Sequence, residues 1–205
     1  MWQTIKARMD FTERLCGSVP QSKEIVNVWL DSRKPKVKSP DGKSLKEIEE
    51  EVLATIEQDE ERTTLGFQSD DQGFFVRGGT VKAHLKDCAN QIKDIMRIKA
   101  FRAKIANKLY LREYRVYLLK DGQPVKESDG SFVQTVHVMT PQGPRTGLKT
   151  IHYVERPSLQ FTLQLLEDSE VKPETITRIF EYGSVHGYGG ERGMGEGRYS
   201  YQLEK

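Results

Sequence analysis

Between Val81 and Ile95, apolar side chains recur at Val81, Leu85, Cys88, Ile92 and Ile95, a spacing that puts all five on one face only if the segment is helical. A further helical stretch continues to Lys108. From Tyr110 the pattern changes to that of strands, with Tyr110–Leu119, Val133–Met139, Thr150–Val154 and Leu159–Leu166 as candidates. A chain with this switch is α+β. The amino-terminal end adds a strand over residues 2–15, where Trp2, Ile5, Ala7, Met9 and Phe11 approximate one alternating face before Cys16-Gly17-Ser18-Val19-Pro20 interrupts it. Phe74-Phe75-Val76 forms a brief strand that Arg77-Gly78-Gly79-Thr80 turns into the helix. Near the carboxyl end, Pro173-Glu174 opens a short helix with Ile176, Ile179 and Phe180 inward, and Gly183 is expected to stop it. A strand over Arg198–Leu203 closes the chain.

Residues 31–72 read as an insertion. Ile25–Leu30 before it is a short apolar run, a candidate strand. Asp31–Lys43 is rich in lysine and proline and reads as an exposed loop. Ser44 with Glu47 three residues on makes a capping box. Leu45, Ile48, Val52 and Ile56 then mark an amphipathic helix, and Gln68–Gly73 reads as a loose tail. The 205-residue chain is long enough for one substantial core, and we expect a single domain over Met1–Lys205.

The formal net charge of +2 conceals an uneven distribution. Residues 77–115 hold 11 Lys and Arg against 3 Asp and Glu, a local excess of +8, whereas residues 47–61 hold 8 acids and no base. A basic stripe is an electrostatic footprint for nucleic acid, or simply a solvated helix face. The two cysteines, Cys16 and Cys88, form no CxxC pair, which fits a reducing compartment and gives no disulfide or zinc signature. Neither a secretory leader nor a run of about 18 apolar residues is visible, so a soluble cytoplasmic protein is expected, away from membranes. No HExxH, Walker A or nucleophile elbow is present. The sequence implies no metal and no cofactor.

Three segments carry anion-binding chemistry. Arg77-Gly78-Gly79-Thr80-Val81-Lys82 places glycines, a hydroxyl and a lysine where a strand becomes a helix. The free N–H groups and dipole of such a helix start favour phosphate. Lys82 and Lys86 are neighbours one turn apart. The alternative is an ordinary helix start with surface lysines. The second segment runs from Gly187 to Tyr201, with six glycines among its first eleven residues and two arginines, Arg192 and Arg198. Successive backbone N–H groups in such a loop can form an anion-binding concavity, and glycine-rich tails also occur as flexible linkers. It is not a dinucleotide fingerprint: Arg192 stands at the third glycine, and helix and strand come in the wrong order. The third segment is Gly143–Lys149, read as a loop between strands, with Arg145 and Lys149 flanking it. Tyr110, Tyr114, Tyr117, Tyr153, Tyr188 and Tyr199 are available for base stacking or for core packing. Of the four histidines, His84 and His186 lie close enough to these segments to be considered as general acid or base.

In this order, the opening strand with its small-residue turn Leu15-Cys16-Gly17-Ser18, the strand, turn and helix at Arg77–Lys86, and the glycine-rich loop with Gly195-Glu196-Gly197-Arg198-Tyr199 resemble the RAMP superfamily of CRISPR-associated RNA-binding proteins. The backbone subunits that polymerise along guide RNA are the most similar subgroup. Arg77-Gly78 stands where that family favours Pro-Gly. The resemblance spans most of the chain outside residues 31–72. It implies a modified ferredoxin-like (RRM-like) antiparallel sheet with helices packed on one face. It also implies that Gly79, Thr80, Lys82 and Lys86 lie near RNA phosphates, and that the loop containing Gly189, Gly190, Arg192 and Arg198 touches RNA or packs across the sheet. No aspartate matches the target-cleaving residue of some relatives.

The leading expectation is a non-catalytic RNA-binding subunit that oligomerises, as a homo-oligomer or in a multi-subunit ribonucleoprotein. Its contacts would involve Arg77, Arg145, Lys149, Arg192 and Arg198 beside the helix-start residues. Single-stranded RNA is the expected partner, with single-stranded DNA as the variant. A metal-independent endoribonuclease using His84 or His186 with a tyrosine is the enzymatic alternative. A RAMP-derived scaffold or decoy that binds an effector complex is the third, prompted by the acidic helix.

Overall fold

Alternation in the first strand decides which side of the sheet is inside. In β1 (Trp2–Phe11), Ile5, Ala7, Met9 and Phe11 are buried while Thr4, Lys6 and Arg8 are exposed, as a period of two requires. The computed structural model describes residues 1–21, 62–140 and 143–204. The expected strand Ile25–Leu30, the loop 31–43 and the acidic helix from Ser44 lie outside those residues. After β1 come β2 (Arg14–Cys16), β3 (Val19–Pro20), β4 (Arg62–Gly66), β5 (Gln68–Ser69) and β6 (Phe74–Arg77). Three helices follow, α1 (Gly78–Gln91), α2 (Lys93–Met96) and α3 (Phe101–Lys108). The chain then forms β7 (Leu109–Leu111), β8 (Arg115–Lys120), β9 (Gln123–Pro124), β10 (Gly130–Thr140), β11 (Gly143–Glu155) and β12 (Ser158–Leu166). It ends with α4 (Pro173–His186) and β13 (Tyr199–Glu204). The described chain is α+β. No helix among the described residues is long and apolar enough to cross a membrane.

Two units emerge. The first comprises residues 1–17, 67–130 and 153–205, and the second residues 18–66 and 131–152. In the first, the strands run β13-β1-β12-β8-β6-β5, with β7 beside β12 and β9 beside β8. All these pairs are antiparallel. Central β1 matches Ile5 to Leu163, Ala7 to Phe161 and Met9 to Leu159 on one side. On the other it matches Ala7 to Leu203 and Phe11 to Tyr199. The inward residues of β1 and β12 meet Val81, Leu85, Cys88, Ala89, Ile176 and Phe180 from the helices in one apolar cluster. In the second unit, β11 runs parallel to β4, Leu148 opposite Arg62 and Ile151 opposite Leu65. There β3 pairs antiparallel with β4, and β10 flanks β11.

Several local expectations change. Gln68-Ser69 is not loose: it forms a hairpin with Phe74-Phe75, tied by Asp70, whose Oδ1 accepts from the Gln72 N–H at 2.9 Å. The stripe from Val81 breaks before Ile95, which is 81% exposed. α1 stops at Gln91, and Arg97 adopts a left-handed conformation at φ 55°. The turn brings Ile98 and Phe101 into the core in its place. The expected strand 110–119 is two strands, because Glu113 bulges out to give its carboxylate to the Thr162 N–H at 2.7 Å while Arg112 N–H bonds the Thr162 carbonyl. That pairing satisfies β12 between its two short neighbours. Arg145 and Lys149 stand within β11 rather than in a loop. Residues 143–147 adjoin only β10 among the described residues, and an edge tolerates Pro144.

α4 also runs past Gly183 to His186, with Gly187 at φ 82° as its cap. Gly183 is inside the helix for a packing reason. A Cβ there would lie 2.2 Å from the Tyr199 hydroxyl oxygen and 3.0 Å from His84 Nε2. In an open helix Gly→Ala stabilises by about 1 kcal/mol. Here overpacking reverses the sign, and Gly183→Ala should lower stability by about 1–2 kcal/mol in denaturant unfolding. In a Tyr199→Phe background, where the obstructing hydroxyl is gone, the same substitution should cost less. Equal losses in both backgrounds would refute this account.

Candidate nucleic-acid interface

The bulge between β7 and β8 is what seats the start of α1. Gly78 donates its N–H to the Tyr114 carbonyl at 2.9 Å, and a Cβ at Gly78 would come within 2.2 Å of the Glu113 carbonyl oxygen. Only glycine permits that approach. Gly79 differs: a Cβ there would meet nothing within 4 Å, and the residue is exposed. No described side chain caps this helix start, and its first turn holds no acid. The first-turn N–H groups of a helix lack intrahelical acceptors and carry the positive end of its dipole.

Thr80 joins this start to the glycine-rich loop. Its Oγ1 donates to the Arg77 carbonyl at 2.7 Å. With that proton committed, Oγ1 is the acceptor in its 2.9 Å contact with the Tyr188 hydroxyl. Burial raises the Tyr188 pKa to about 12, so the phenol remains a donor at neutral pH. Lys82 and Lys86 lie one turn further on, both half-buried. Burial, then the neighbouring charge of Lys86, lowers the Lys82 pKa. Arg77 is exposed and gives Nε–H to Gln68 at 2.9 Å.

The loop between α4 and β13 is a folded structure. Gly187, Gly189, Gly195 and Gly197 all have positive φ. Tyr188 N–H bonds the Gly197 carbonyl at 2.8 Å, and Gly197 N–H bonds the Arg14 carbonyl at 2.9 Å. A Cβ on Gly197 would fall 1.9 Å from the Tyr188 carbonyl oxygen. Gly189 packs on Leu15, and Gly190 pairs with Cys16 across a bridge. An Arg14–Glu196 ion pair closes the base of the loop. Gly193, by contrast, faces open space. Both loop arginines are exposed. Arg192 donates from Nη1 to His186 Nε2 at 2.9 Å, with Asp87 Oδ2 3.6 Å away.

His84 lies beneath this surface. Only 6% exposed, it shares a 3.0 Å hydrogen bond with the Tyr199 hydroxyl and stacks near His186 at 6.4 Å. The Tyr188 ring meets it edge-on. Burial, aided by Arg192 and His186 and opposed by Asp87, lowers its pKa to about 3. Burial likewise raises the Cys88 thiol to about 12.

The two sequence segments at 77–86 and 187–199 therefore come together in the first unit. Lys149 lies in the second, opposite Thr63 in the β11–β4 ladder. Arg145 also belongs to that unit. Sequence reasoning missed two features here. One is the Asp87–His186–Arg192 contact. The other is the exposed ring pair of Trp2 and Tyr110, 5.8 Å apart. The expected grouping of Trp2 with Ile5 and Ala7 fails on parity: Trp2 is exposed and shares the outward face of β1 with Thr4 and Lys6.

No protein-family model matches the chain, and no curated protein matches it. Among solved structures, the chain is similar to one from a cryo-EM structure of a type III-B Cmr-beta complex bound to cognate target RNA. Identity is 8% and the TM-score 0.45, over 100% of this chain and 59% of that one. It is also similar to one from a type IV-B CRISPR complex, at 10% identity and a TM-score of 0.47, over 98% of this chain and 90% of the other. The chain thus spans less than two thirds of the first of these.

His84 gives a pH test. Its unfolded pKa is about 6.5, so below that value the unfolded chain binds a proton that the folded chain refuses down to about 3. Its contribution to stability is complete above the unfolded value and is lost as pH falls through this window, at up to about 1.4 kcal/mol per pH unit. His84→Gln should flatten the fall in unfolding free energy between about pH 6 and 4. A slope identical to the parent's would refute the assignment.

Proposed function

We propose that this chain is a non-catalytic RNA-binding subunit of a multi-subunit ribonucleoprotein, with a modified ferredoxin-like core of RAMP type. The observation that carries this reading is the meeting of two anion-binding elements at the Thr80–Tyr188 contact. There, an open helix start with Gly79 bare of side chain adjoins a loop that carries Arg192 and Arg198. Lys82 and Lys86 extend the positive side along α1. Backbone N–H groups and cations in this arrangement suit a chain of phosphates, and such contacts position a strand without reading its sequence.

The core supports the same reading. From the β13 edge the strands are ordered β13-β1-β12, with β7 and β8 sharing the far edge of β12. α1 falls between β1 and that edge pair in sequence, and α4 links β12 to β13. This order suits a ferredoxin-like fold. The non-catalytic part rests on His84, which is enclosed and held neutral, and on Tyr188 and Tyr199, whose hydroxyls burial keeps protonated. Groups so placed build the interface from below.

Protein purified without nuclease should carry RNA, read as a raised 260/280 nm absorbance ratio, and should run as a multimer. Lys86→Glu combined with Arg198→Glu should weaken binding to single-stranded RNA at low salt by at least about tenfold. It should also make the dependence of log K on log salt shallower by about 0.7 for each phosphate that is no longer neutralised. Unchanged affinity and slope, or a wild-type protein with no affinity for single-stranded RNA, would overturn the proposal. RNA products ending in 2′,3′-cyclic phosphate without metal would replace it with the endoribonuclease.

A further inference from the structure

We infer that Trp2 and Tyr110 form a stacking platform for a base of single-stranded nucleic acid, a second contact that rests on the RNA-binding reading and adds to it. The two rings belong to strands on opposite sides of β12. Tyr110 and Thr4 both stand in register with Gln164, and Trp2 shares the outward face of β1 with Thr4. Their centroids are 5.8 Å apart and their planes meet at 63°. Neither ring is used by the core: Trp2 is 54% exposed and Tyr110 45%. Tyr110 is fixed in place, because its hydroxyl donates to the Asn107 carbonyl at 3.0 Å.

The surroundings select the occupant. Lys82 reaches from α1 to lie 4.2 Å from the Tyr110 ring centroid, and Arg112 is exposed two residues beyond that ring. Along β1 the same face continues through Thr4 to Lys6 and Arg8, exposed cations beside exposed Gln160 and Gln202. Thr4 and Gln164 hydrogen-bond each other at 3.1–3.3 Å next to the rings. Rings bordered by cations and amides suit a planar, polar-edged ring on a polyanion. Base–aromatic stacking is tolerant of sequence and is augmented by a neighbouring cation. Lys82 links the platform to the α1 start, so one strand can touch both.

The chain has two tryptophans, Trp2 and Trp29, and Trp29→Phe leaves Trp2 as the sole reporter. Titration of this full-length variant with a short oligouridine at low salt should quench Trp2 emission by about half or more, while inorganic polyphosphate should not. In the otherwise unchanged protein, Trp2→Ala should weaken oligouridine binding, followed by anisotropy of a labelled strand, about tenfold. Trp2→Phe, which keeps a stacking face, should stay within about threefold of the parent. Undiminished binding by Trp2→Ala with unquenched emission would overturn the platform and leave the RNA-binding reading standing. Equal quenching by polyphosphate would also overturn it, as a charge effect without stacking. No binding by the parent protein would overturn both.

Discussion

The hydroxyl of Tyr199 sits where a side chain on Gly183 would be, and much of the helical face follows from that. Tyr199 enters from β13, meets Phe11 edge-on at 5.9 Å and reaches His84 on α1. A single ring therefore bonds one helix, occupies the gap left by the other and stands opposite Phe11 in the β1–β13 ladder. The register of β13 against β1 depends on this fit, because a shift of one residue would turn Tyr199 to the outer face. The loop that precedes β13 inherits its position from the same register.

That dependence separates the glycines by purpose. Gly78, Gly183, Gly189 and Gly197 each lie against atoms that a Cβ would strike, so their identity is a packing requirement. Gly79 and Gly193 meet nothing, and packing gives no reason for them. A composition count treats all six alike, yet only the last two leave backbone uncovered towards solvent. The part of the glycine-rich motifs that packing does not explain is thus small, and the rest is the frame that holds it.

What could be read from the sequence follows the range of the forces involved. The alternation of β1 from Ile5 to Phe11, the Val81–Cys88 stripe and the inward Ile176, Ile179 and Phe180 are local periodic patterns, and each names a buried face correctly. Failures occur where a distant partner decides. Gln68-Ser69 is too short to declare itself a strand until Phe74-Phe75 pairs with it, and Gly183 looks like a helix stop until Tyr199 fills its space. Ile95 keeps the helical period but loses its place when Arg97 turns the chain. For the candidate interface, the helix start at 77–86 and the glycine-rich loop at 187–199 were legible from residue type and order. Their contact through Thr80 and Tyr188, 108 residues apart, was not. The pairing of Trp2 with Tyr110 was equally hidden, since it arises only when β12 lies between their strands.

The charge map also changes meaning once partners are known. Of the cations between Arg77 and Arg115, Arg115 pairs with Asp70, Lys104 with Glu170 and Lys108 with Asp168. These acids lie outside the segment, so the local excess of +8 overstates what is available to a phosphate chain. A paired cation must exchange one anion for another on binding, whereas an unpaired one exchanges only counterions. Lys86, Lys93, Arg97, Lys99, Arg102 and Arg112 have no ion-pair partner among the described residues, and all lie on α1 or between its end and the β7–β8 bulge. The same distinction divides the two loop arginines, which the sequence weighs equally. Arg192 is held between His186 and Asp87, while Arg198 is exposed with no ion-pair partner among the described residues. An anion brought to Arg192 would meet Asp87 beside it, and one brought to Arg198 would not. On that ground Arg198 is the less encumbered cation of the two.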